Sequence, residues 1–410
     1  MKLKKIVFIN RFFFPDHSET SQMLSDLVFG LKLEETEVEV ISSRKLYDSP
    51  KAELPAVEDI FGVRVHRVWT TRFGRAHLIG RTFDYLSFYV AASLKLLFLI
   101  GRNDIVVVKT DPPLMSVPVL LISKFRRAKQ VNWLQDLFPE IAQVLDFKWL
   151  NSPLGTTLKW FRNLSLKHSS SNVVLGELMH SELIANNVLP NLIEIIPNWA
   201  DGHLISPVSK EDNPLRSEWG FRDEFVVGYA GNLGRAHMIE AMLSAAVSLK
   251  EHRNIVFLFI GGGVLSARLQ RSAEEIGLEN MRFEPYQKKA SLTNALGAAD
   301  VHMVSLNEVL EGLIVPSKFY GVIAAGRPTL YLGDSNGEIA RVLSQHQIGH
   351  TISNSDPEGL AAQILVLAQH QDDCIAMGLK ARQVFAENYS KELSLKKWQS
   401  LLTRIQTNPD

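Results

Sequence analysis

Short apolar segments alternate with helical patterns along almost the whole chain. The first set of predicted strands is Ile6–Ile9, Val38–Ser42, Ile105–Lys109, Gln130–Trp133, Asn172–Leu175 and Glu194–Ile196. The second set is Phe225–Tyr229, Ile255–Ile260, Met281–Glu284, Val301–Val304 and Thr329–Leu332. Continuous apolar strands that alternate with helices are typical of parallel sheets covered by helices on both faces. The pattern therefore predicts an α/β protein.

A polar segment separates the two sets of strands. Residues Ser206–Gly220 contain two prolines among charged and hydroxyl side chains, which is typical of a linker. We predict two doubly wound, Rossmann-like domains at 1–205 and 206–390, followed by a C-terminal helix in 391–410 that could pack back on the first domain. At 410 residues the chain is long enough for each domain to bury its own core.

Composition excludes some classes of function. The chain has 44 Lys and Arg against 44 Asp and Glu, so it lacks the basic surplus of a protein that binds nucleic acid by bulk charge. Its one cysteine, Cys374, cannot form an internal disulfide, which favours a reducing, cytoplasmic setting. The sequence contains no Asp-x-Asp pair and no Cys/His spacing of a zinc site, so we expect neither a metal nor a cofactor.

The cations of the first half are unevenly distributed. Between Arg64 and Lys129, twelve Lys and Arg residues stand against three Asp residues, and they surround the apolar segment Asp84–Gly101. Two interpretations stay open: a buried helix of the first domain, or a helix that lies on an anionic membrane surface. In the second case the contacting side chains would be four aromatics and three arginines: Phe83, Tyr85, Phe88, Tyr89, Arg72, Arg75 and Arg81.

Ligands of open α/β sheets bind at the carboxyl ends of the strands, and in the second half those ends are rich in glycine. YAGNLGRAH follows one predicted strand, and FIGGG follows the next. Gly231, Gly234 and Gly262 would let backbone N–H groups approach an anion, and Arg235 adds a charge, although such glycines often serve tight packing alone. Neither segment matches the glycine patterns of NAD or ATP sites, which makes those ligands less favoured.

The segment EGLIVPSKF carries a further candidate site. Pro316 suits the first turn of a helix, which would place Ser317 and Lys318 among unpaired N–H donors that attract a diphosphate. An ordinary helix start with a solvated Lys318 is the structural alternative. Glu311, in the preceding loop, is placed to accept hydrogen bonds from sugar hydroxyls.

Together these motifs carry a family resemblance. The succession IPNWADG, YAGNLG, FIGGG, RFEPYQ, ADVHMVSL, EGLIVPSK and AAGRP resembles retaining nucleotide-sugar glycosyltransferases of family 4, which have the GT-B fold. It is most similar to the branch that builds bacterial exopolysaccharide and lipopolysaccharide, such as the colanic-acid and N-acetylfucosamine transferases. The resemblance implies two Rossmann-like domains with a cleft between them. It also implies a nucleoside diphosphate sugar as donor, expected to be a UDP-sugar, and a glycan or polyprenyl-diphosphate-linked acceptor.

The resemblance also implies roles for single residues. Glu311 would contact the donor sugar and Lys318 the phosphates, while Tyr286 would border the base. The implied donor-binding residues are Gly231, Asn232, Gly234, Arg235, Gly262, Tyr286, Gly312, Leu313, Ser317 and Glu338. Two departures stand out. Gly321 replaces a carboxylate that holds the ribose in the family, so Glu338 is the predicted substitute; Asn232 and His237 replace two basic residues.

The first domain would bind the acceptor. The implied acceptor-side residues are Glu19, Thr20 and Ser21, and Asp136 in WLQDLFPEIA would orient an acceptor hydroxyl. A capping role for Asp136 at a helix that begins near Pro139 has comparable weight. By resemblance, transfer retains the anomeric configuration without a metal: fixed dipoles and cations stabilise the leaving group, and the departing phosphate takes the acceptor proton. A nucleotide-sugar 2-epimerase and a catalytically idle partner of another transferase are the alternatives. The expected location is cytoplasmic, peripheral on the inner face of the cell membrane.

Overall fold

The computed structural model describes residues 4–33, 36–47, 49, 51, 53–73, 78–145 and 151–407. The chain forms two compact units, one of Met1–Pro197 with Ser394–Asp410 and one of Asn198–Leu393. The division therefore falls slightly before the predicted boundary at 205. The polar segment 206–220 is a folded part of the second unit rather than a linker, since its buried Arg216 donates to the Ala298 carbonyl at 2.8 Å and to the Asp300 carboxylate at 3.4 Å.

The first unit contains an eight-stranded sheet in the order β3-β4-β2-β1-β5-β6-β7-β8. Its strands are β1 Lys4–Ile9, β2 Thr36–Ser43, β3 Val57–Ile60, β4 Val63–Val68, β5 Ile105–Lys109, β6 Lys129–Trp133, β7 Ser171–Val174 and β8 Ile193–Ile195. All pairs are parallel except the edge hairpin β3–β4. The central strand β1 pairs with β2 and β5, and its residues Ile6–Ile9 are buried, which explains why all four are apolar.

Helices cover this sheet. They are α1 Glu19–Gly30, α2 Leu78–Leu99, α3 Ser116–Arg126, α4 Glu140–Val144, α5 Pro153–His168 and α6 Glu177–Ala185. Phe88, Ala92 and Leu96 of α2 are fully buried in the core with the strand side chains Val7 and Val106. The last helix of the chain, α15 Lys391–Thr407, contributes Trp398, which is fully buried with its ring 4.8 Å from that of Trp133.

The second unit contains a six-stranded parallel sheet in the order β11-β10-β9-β12-β13-β14. Its strands are β9 Phe225–Asn232, β10 Ile255–Gly262, β11 Met281–Glu284, β12 Val301–Ser305, β13 Thr329–Leu332 and β14 Gly349–Ile352. Its helices are α7 Pro214–Glu218, α8 Glu240–Ser248, α9 Val264–Ile276, α10 Leu292–Gly297, α11 Lys318–Ala324, α12 Glu338–His346, α13 Pro357–Gln369 and α14 Gln371–Asn388. The strand order reverses between β9 and β12, which is the position where ligands of such sheets bind.

Candidate functional site

Glycines shape the carboxyl ends of β9 and β10. Gly231 and Gly261 are paired across the two strands and have φ angles of +122° and +127°, and Gly263, just before α9, has +121°. A Cβ on Gly261 would collide with the Gly231 carbonyl, and one on Gly263 would lie 2.5 Å from the Leu233 carbonyl oxygen. These positions therefore need glycine for backbone conformation and close approach.

Tyr286 lies against this glycine turn. A Cβ on Gly262 would come within 3.2 Å of the Tyr286 ring, and the side chain of Tyr286 is 61% exposed. Among the other predicted donor residues at these strand ends, Asn232 and Arg235 are exposed. A planar ring that rests on glycine backbone and faces solvent presents one face on which a nucleotide base could stack.

The ammonium group of Lys318 lies beside the end of β9. Its Nζ donates to the Tyr229 hydroxyl, to the Asn232 carbonyl at 3.2 Å and to His237 Nε2 at 3.0 Å. A Cβ on Gly231 would lie 3.6 Å from Lys318 Cε, so the side chain passes directly over that glycine. The three hydrogen bonds engage all three N–H groups of the ammonium.

His237 has a defined tautomer in this arrangement. Its Nδ1 lies 2.6 Å from the Ser305 carbonyl oxygen, and because a carbonyl only accepts, Nδ1 carries the proton. Its Nε2 then presents a lone pair to Lys318. Burial, reinforced by the charge of Lys318, lowers the pKa of His237 to about 3, so the imidazole is neutral at physiological pH.

Tyr229 is the third group that surrounds the ammonium of Lys318, and we call Tyr229, His237 and the Asn232 carbonyl the cage around Lys318. Its hydroxyl accepts from Lys318 and donates to the Asn232 carbonyl at 3.2 Å. Burial raises the pKa of Tyr229 well above its ordinary value, so the hydroxyl keeps its proton. Tyr229 is not among the site residues predicted from the sequence, and no role was predicted for His237. Both residues contact Lys318, which is distant from them in the sequence, and a local motif cannot predict a contact of that kind.

Glu311 is held by two donors. Its carboxylate accepts from the Tyr331 hydroxyl and from the backbone N–H of Glu338 at 3.3 Å. It packs so closely on Gly337 that a Cβ there would collide with it. Burial raises the pKa of Glu311, and the hydrogen bond from Tyr331 opposes that rise. The carboxylate thus lies at the amino end of α12, and its remaining lone pairs can still accept from a ligand.

Two donor-site predictions concern neighbouring positions. The half-buried Glu338 is the first residue of α12, and its backbone N–H serves Glu311, while the predicted contact of its carboxylate with ribose stays a prediction. At Gly321 a Cβ would meet Leu296 at 3.5 Å and Ile205 at 4.0 Å, both ordinary contacts. Gly312 has a φ of +75°, and Leu313 is buried.

The start of α11 differs from the sequence expectation. Pro316 precedes the helix, and the N–H groups of Phe319 and Tyr320 already donate to the carbonyls of Pro316 and Ser317 at 3.3 and 3.1 Å. The expectation of unpaired donors at this start is therefore wrong for those two residues. With these two N–H groups occupied and a helix of only seven residues, the start of α11 offers an anion little besides the charge of Lys318.

The predicted acceptor-side residues lie in the first unit. Glu19 begins α1, and the Thr20 carbonyl accepts from the buried ammonium of Lys109 at 3.0 Å. Ser21 is buried, and its hydroxyl donates to the Asp16 carbonyl at 3.1 Å, so it supports the loop. Burial, opposed by nearby carboxylates, lowers the pKa of Lys109 to about 7.

Asp136 lines a small pocket of the first unit together with Lys109, Thr110 and Arg162. Burial raises the pKa of Asp136 to about 6, against the hydrogen bond from Thr110, and its Oδ1 has no hydrogen-bond partner among the described residues. The capping alternative is wrong, because α4 begins at Glu140 with Pro139 at the cap position. Within the described ranges, no group of three or more His, Cys, Asp or Glu residues could hold a metal ion.

Comparisons with known proteins agree on one family. Residues 211–384 match the family described as glycosyl transferases group 1. The probable glycosyltransferase WbjE of Pseudomonas aeruginosa is 31% identical over 308 residues, which cover 75% of this chain and 76% of that protein. The putative colanic acid biosynthesis glycosyl transferase WcaI of Escherichia coli (strain K12) is 24% identical over 292 residues, covering 68% and 70%.

Solved structures agree on the fold. Sucrose-phosphate synthase from Thermosynechococcus elongatus has a TM-score of 0.78 at 15% identity and covers 98% of this chain and 99% of its own. Anabaena Alr3699/HepE in complex with UDP and glucose has a TM-score of 0.71 at 14% identity, with the same coverage. WaaG, a glycosyltransferase involved in lipopolysaccharide biosynthesis, has a TM-score of 0.69 at 15% identity over 97% of this chain and 99% of its own. The predicted two-domain α/β GT-B fold is confirmed.

Proposed function

The chain belongs to the group 1 glycosyl transferases, and we propose that it moves a sugar from a UDP-sugar to a glycan or polyprenyl-diphosphate-linked acceptor in surface polysaccharide synthesis. The observation that carries the proposal is the position of Lys318. A fixed ammonium beside the glycine-lined ends of β9 and β10 is suited to the diphosphate of a nucleotide sugar.

The catalytic step that we propose uses groups of the second unit. Lys318 stabilises the charge that develops on the leaving diphosphate, and Glu311 orients the donor sugar through its hydroxyls. The departing phosphate takes the proton of the acceptor hydroxyl, which attacks the same face of the anomeric carbon, so that configuration is retained. No metal enters this proposal, because preorganised cations and dipoles supply the stabilisation.

Two observations support UDP as the nucleotide of the donor. Solved structures of Anabaena Alr3699/HepE contain UDP or UDP-glucose, and the identity to this chain is 14%. Tyr286 offers a ring for the base next to Gly262. The direct test is to measure binding of UDP, GDP and ADP to the full chain by calorimetry. Tight binding of UDP alone supports the choice of base, preference for another nucleotide contradicts it, and binding of none contradicts the transferase site itself.

We also propose peripheral attachment to the inner face of the cell membrane through α2 and α3. Five apolar side chains at helical spacing are between 51% and 82% exposed along α2: Phe83, Leu86, Val90, Leu94 and Phe98. Two more are exposed on α3, which packs beside α2: Leu121 and Phe125. We call these seven residues the α2–α3 face. Exposed Lys124, Arg126 and Arg127 at the end of α3 would attract anionic lipids.

The sequence left two interpretations of α2 open, a buried core helix and a helix on a membrane surface, and the structure supports a part of each. Segment Gly80–Leu99 is long and apolar enough to cross a membrane, yet Phe88 is fully buried in the core of the unit. Tyr89 is half-buried, and its hydroxyl donates to the Pro113 carbonyl. Of the predicted aromatics, Phe83 is exposed and Tyr85 lies beneath the guanidinium of Arg81. Arg75 lies outside the described residues. One side of α2 thus packs in the core, and the opposite side is available to lipid.

A further inference from the structure

The cage around Lys318 leaves a bound phosphate no unused proton on that ammonium. All three N–H groups already donate, to the Tyr229 hydroxyl, the Asn232 carbonyl and His237 Nε2. A phosphate oxygen that accepts from Lys318 must therefore replace one of these acceptors. The three acceptors respond differently to that loss, and the difference has a chemical consequence.

The Asn232 carbonyl and the Tyr229 hydroxyl can each lose the hydrogen bond from Lys318 and still keep another hydrogen bond. The Asn232 carbonyl still receives the hydroxyl proton of Tyr229, and Tyr229 keeps that donor bond. His237 is different, because its Nδ1–H is committed to the Ser305 carbonyl and its Nε2 carries a lone pair. A bare lone pair next to phosphate oxygens is repulsive, and it becomes a donor as soon as it binds a proton.

The charges that face His237 determine when it binds that proton. The described groups packed against it are the ammonium of Lys318 from α11, the neutral hydroxyl and ring of Tyr229 from β9, and the Ser305 carbonyl from β12. In the free protein the ammonium, 3.0 Å away, opposes a second positive charge. A diphosphate at this position brings two or more negative charges, which reverse the sign of the local field.

From this geometry we propose that His237 takes up one proton when a nucleoside diphosphate binds and, as an imidazolium, donates its Nε2–H to a phosphate oxygen beside Lys318. The proton comes from solvent, so free protein, nucleotide and one H⁺ give a complex that carries one additional positive charge. This inference rests on the proposed function, since it assigns a second cation to the same diphosphate site. It makes His237 a ligand-binding residue whose charge exists only in the complex.

The test is calorimetric titration of UDP into the full chain between pH 6 and 8, repeated in buffers of different ionisation heat. The dependence of the measured heat on the buffer gives the number of protons taken up per UDP bound. UDP itself titrates near pH 6, so the same titration on His237→Gln supplies the reference. His252→Gln, at an exposed histidine of the same unit, is the matched control.

We expect wild type and His252→Gln to take up more protons than His237→Gln, by a difference that approaches one near pH 6. The UDP affinity of wild type, relative to His237→Gln, should then rise up to about tenfold for each unit by which pH falls. In histidine labelled with ¹⁵N, the Nε2 resonance of His237 should move from an unprotonated to a protonated position when UDP is added.

Three results separate the possible failures. Equal proton counts in wild type and His237→Gln, with UDP bound by both, would overturn this inference and leave the proposed function intact. An Nε2 signal that stays unprotonated in the complex would do the same, and would assign the displaced acceptor to the Asn232 carbonyl or the Tyr229 hydroxyl. Absence of binding by UDP, GDP and ADP would overturn both proposals.

Discussion

Lys318 and Glu311 are held by different partners, so their removal should have different effects. Losing a hydrogen bond to a charged group costs roughly 1.5–3 kcal/mol, which is about 10- to 100-fold in binding. We expect Lys318→Ala to weaken binding of free UDP by that factor, and Glu311→Ala to spare UDP binding while it lowers turnover. Calorimetry and a transfer assay measure the two effects, and Lys250→Ala, at an exposed lysine of α8–β10, is the control. Equal UDP affinity in wild type and Lys318→Ala would contradict the assignment.

Tyr331 is expected to act through Glu311. Its hydroxyl donates to the Glu311 carboxylate and lowers a pKa that burial raises. In Tyr331→Phe the pKa of Glu311 should rise further, so the acidic limb of the activity profile should move to higher pH, because the ionised carboxylate is the form that accepts from sugar hydroxyls. The measurement is kcat/KM against pH. A lower rate with an unmoved acidic limb would show that Tyr331 only packs.

Glu338 offers a test of ribose recognition. Substitution by Gln keeps the backbone N–H that bonds Glu311 and removes only the side-chain charge. If the carboxylate holds the ribose hydroxyls in place of the residue missing at Gly321, Glu338→Gln should weaken binding of UDP but not of its 2′,3′-dideoxy analogue. Calorimetry with both nucleotides decides the question, since an equal loss for both would assign Glu338 a structural role.

For single residues, the sequence predicts which side chains belong to the site better than it predicts which other side chains contact them. Lys318 and Glu311 could be predicted from a short motif, because their own neighbours along the chain suggested an anion site and a sugar site. Tyr229, His237 and Tyr331 could not, because they reach these residues from other strands and loops of the sheet. Such contacts depend on strand order, which no local pattern encodes.

At the scale of secondary-structure elements, most strands inside the sheets could be predicted from the sequence, whereas the strands that were missed lie at or next to a sheet edge. Interior strands such as β5 and β10 are largely apolar because both of their faces are covered, and all eleven predicted strands are present within small shifts of their ends. The interior strand β6, KQVNW, is an exception, since its buried Gln130 and Asn132 hydrogen-bond to each other. The hairpin β3–β4 was missed because it is an edge pair whose charged side chains alternate with apolar ones. The edge strand β14, with the sequence GHTI, was missed for a similar reason.

The α2–α3 face predicts the orientation of α2 at a membrane surface. Since its exposed side chains form one stripe and the opposite stripe is buried, α2 should lie in the plane of the lipid surface. We expect the protein to co-sediment with anionic vesicles at low salt, and less with neutral vesicles or at high salt. The double variant Val90→Glu with Leu94→Glu should lose this binding, and Lys124→Glu with Arg126→Glu should weaken it.

A matched control for this experiment is available in the second unit. Ile276 of α9 is 53% exposed and lies outside the α2–α3 face, so Ile276→Glu should bind vesicles as wild type does. Wild-type protein that stays in the supernatant with anionic vesicles at low salt would contradict membrane attachment. A soluble acceptor would then be the better hypothesis.

At the scale of the whole molecule, two units with separate cores should respond separately to pH. Each has its own sheet, and in the second unit burial lowers the pKa of the half-buried His237 and of the fully buried His302, so both are neutral at physiological pH. His302 donates through Nε2 to the Leu296 carbonyl at 2.8 Å, and burial lowers its pKa from 6.5 to about 4. In the first unit, burial opposes ionisation of Glu39, but hydrogen bonds from His66 and Lys5 together outweigh burial and lower the pKa of Glu39 to about 2. Acid should therefore destabilise the second unit through His302 at a higher pH than it destabilises the first unit through Glu39.

Burial of the neutral ring of His302 should make the stability of the second unit depend on pH. Because its pKa in the folded chain lies below that of the unfolded chain, only the unfolded chain binds a proton there between about pH 6.5 and 4. The stability gained from burying the neutral ring is complete above pH 6.5 and falls with pH below it, by about 1.4 kcal/mol per pH unit. Scanning calorimetry should show the transition of the second unit falling less between pH 7 and pH 5 in His302→Gln than in wild type. Glu311 has a raised pKa and acts in the opposite direction, but both proteins contain it, so the difference between them isolates His302. Parallel decreases in the two proteins would mean that His302 is already protonated in the folded chain.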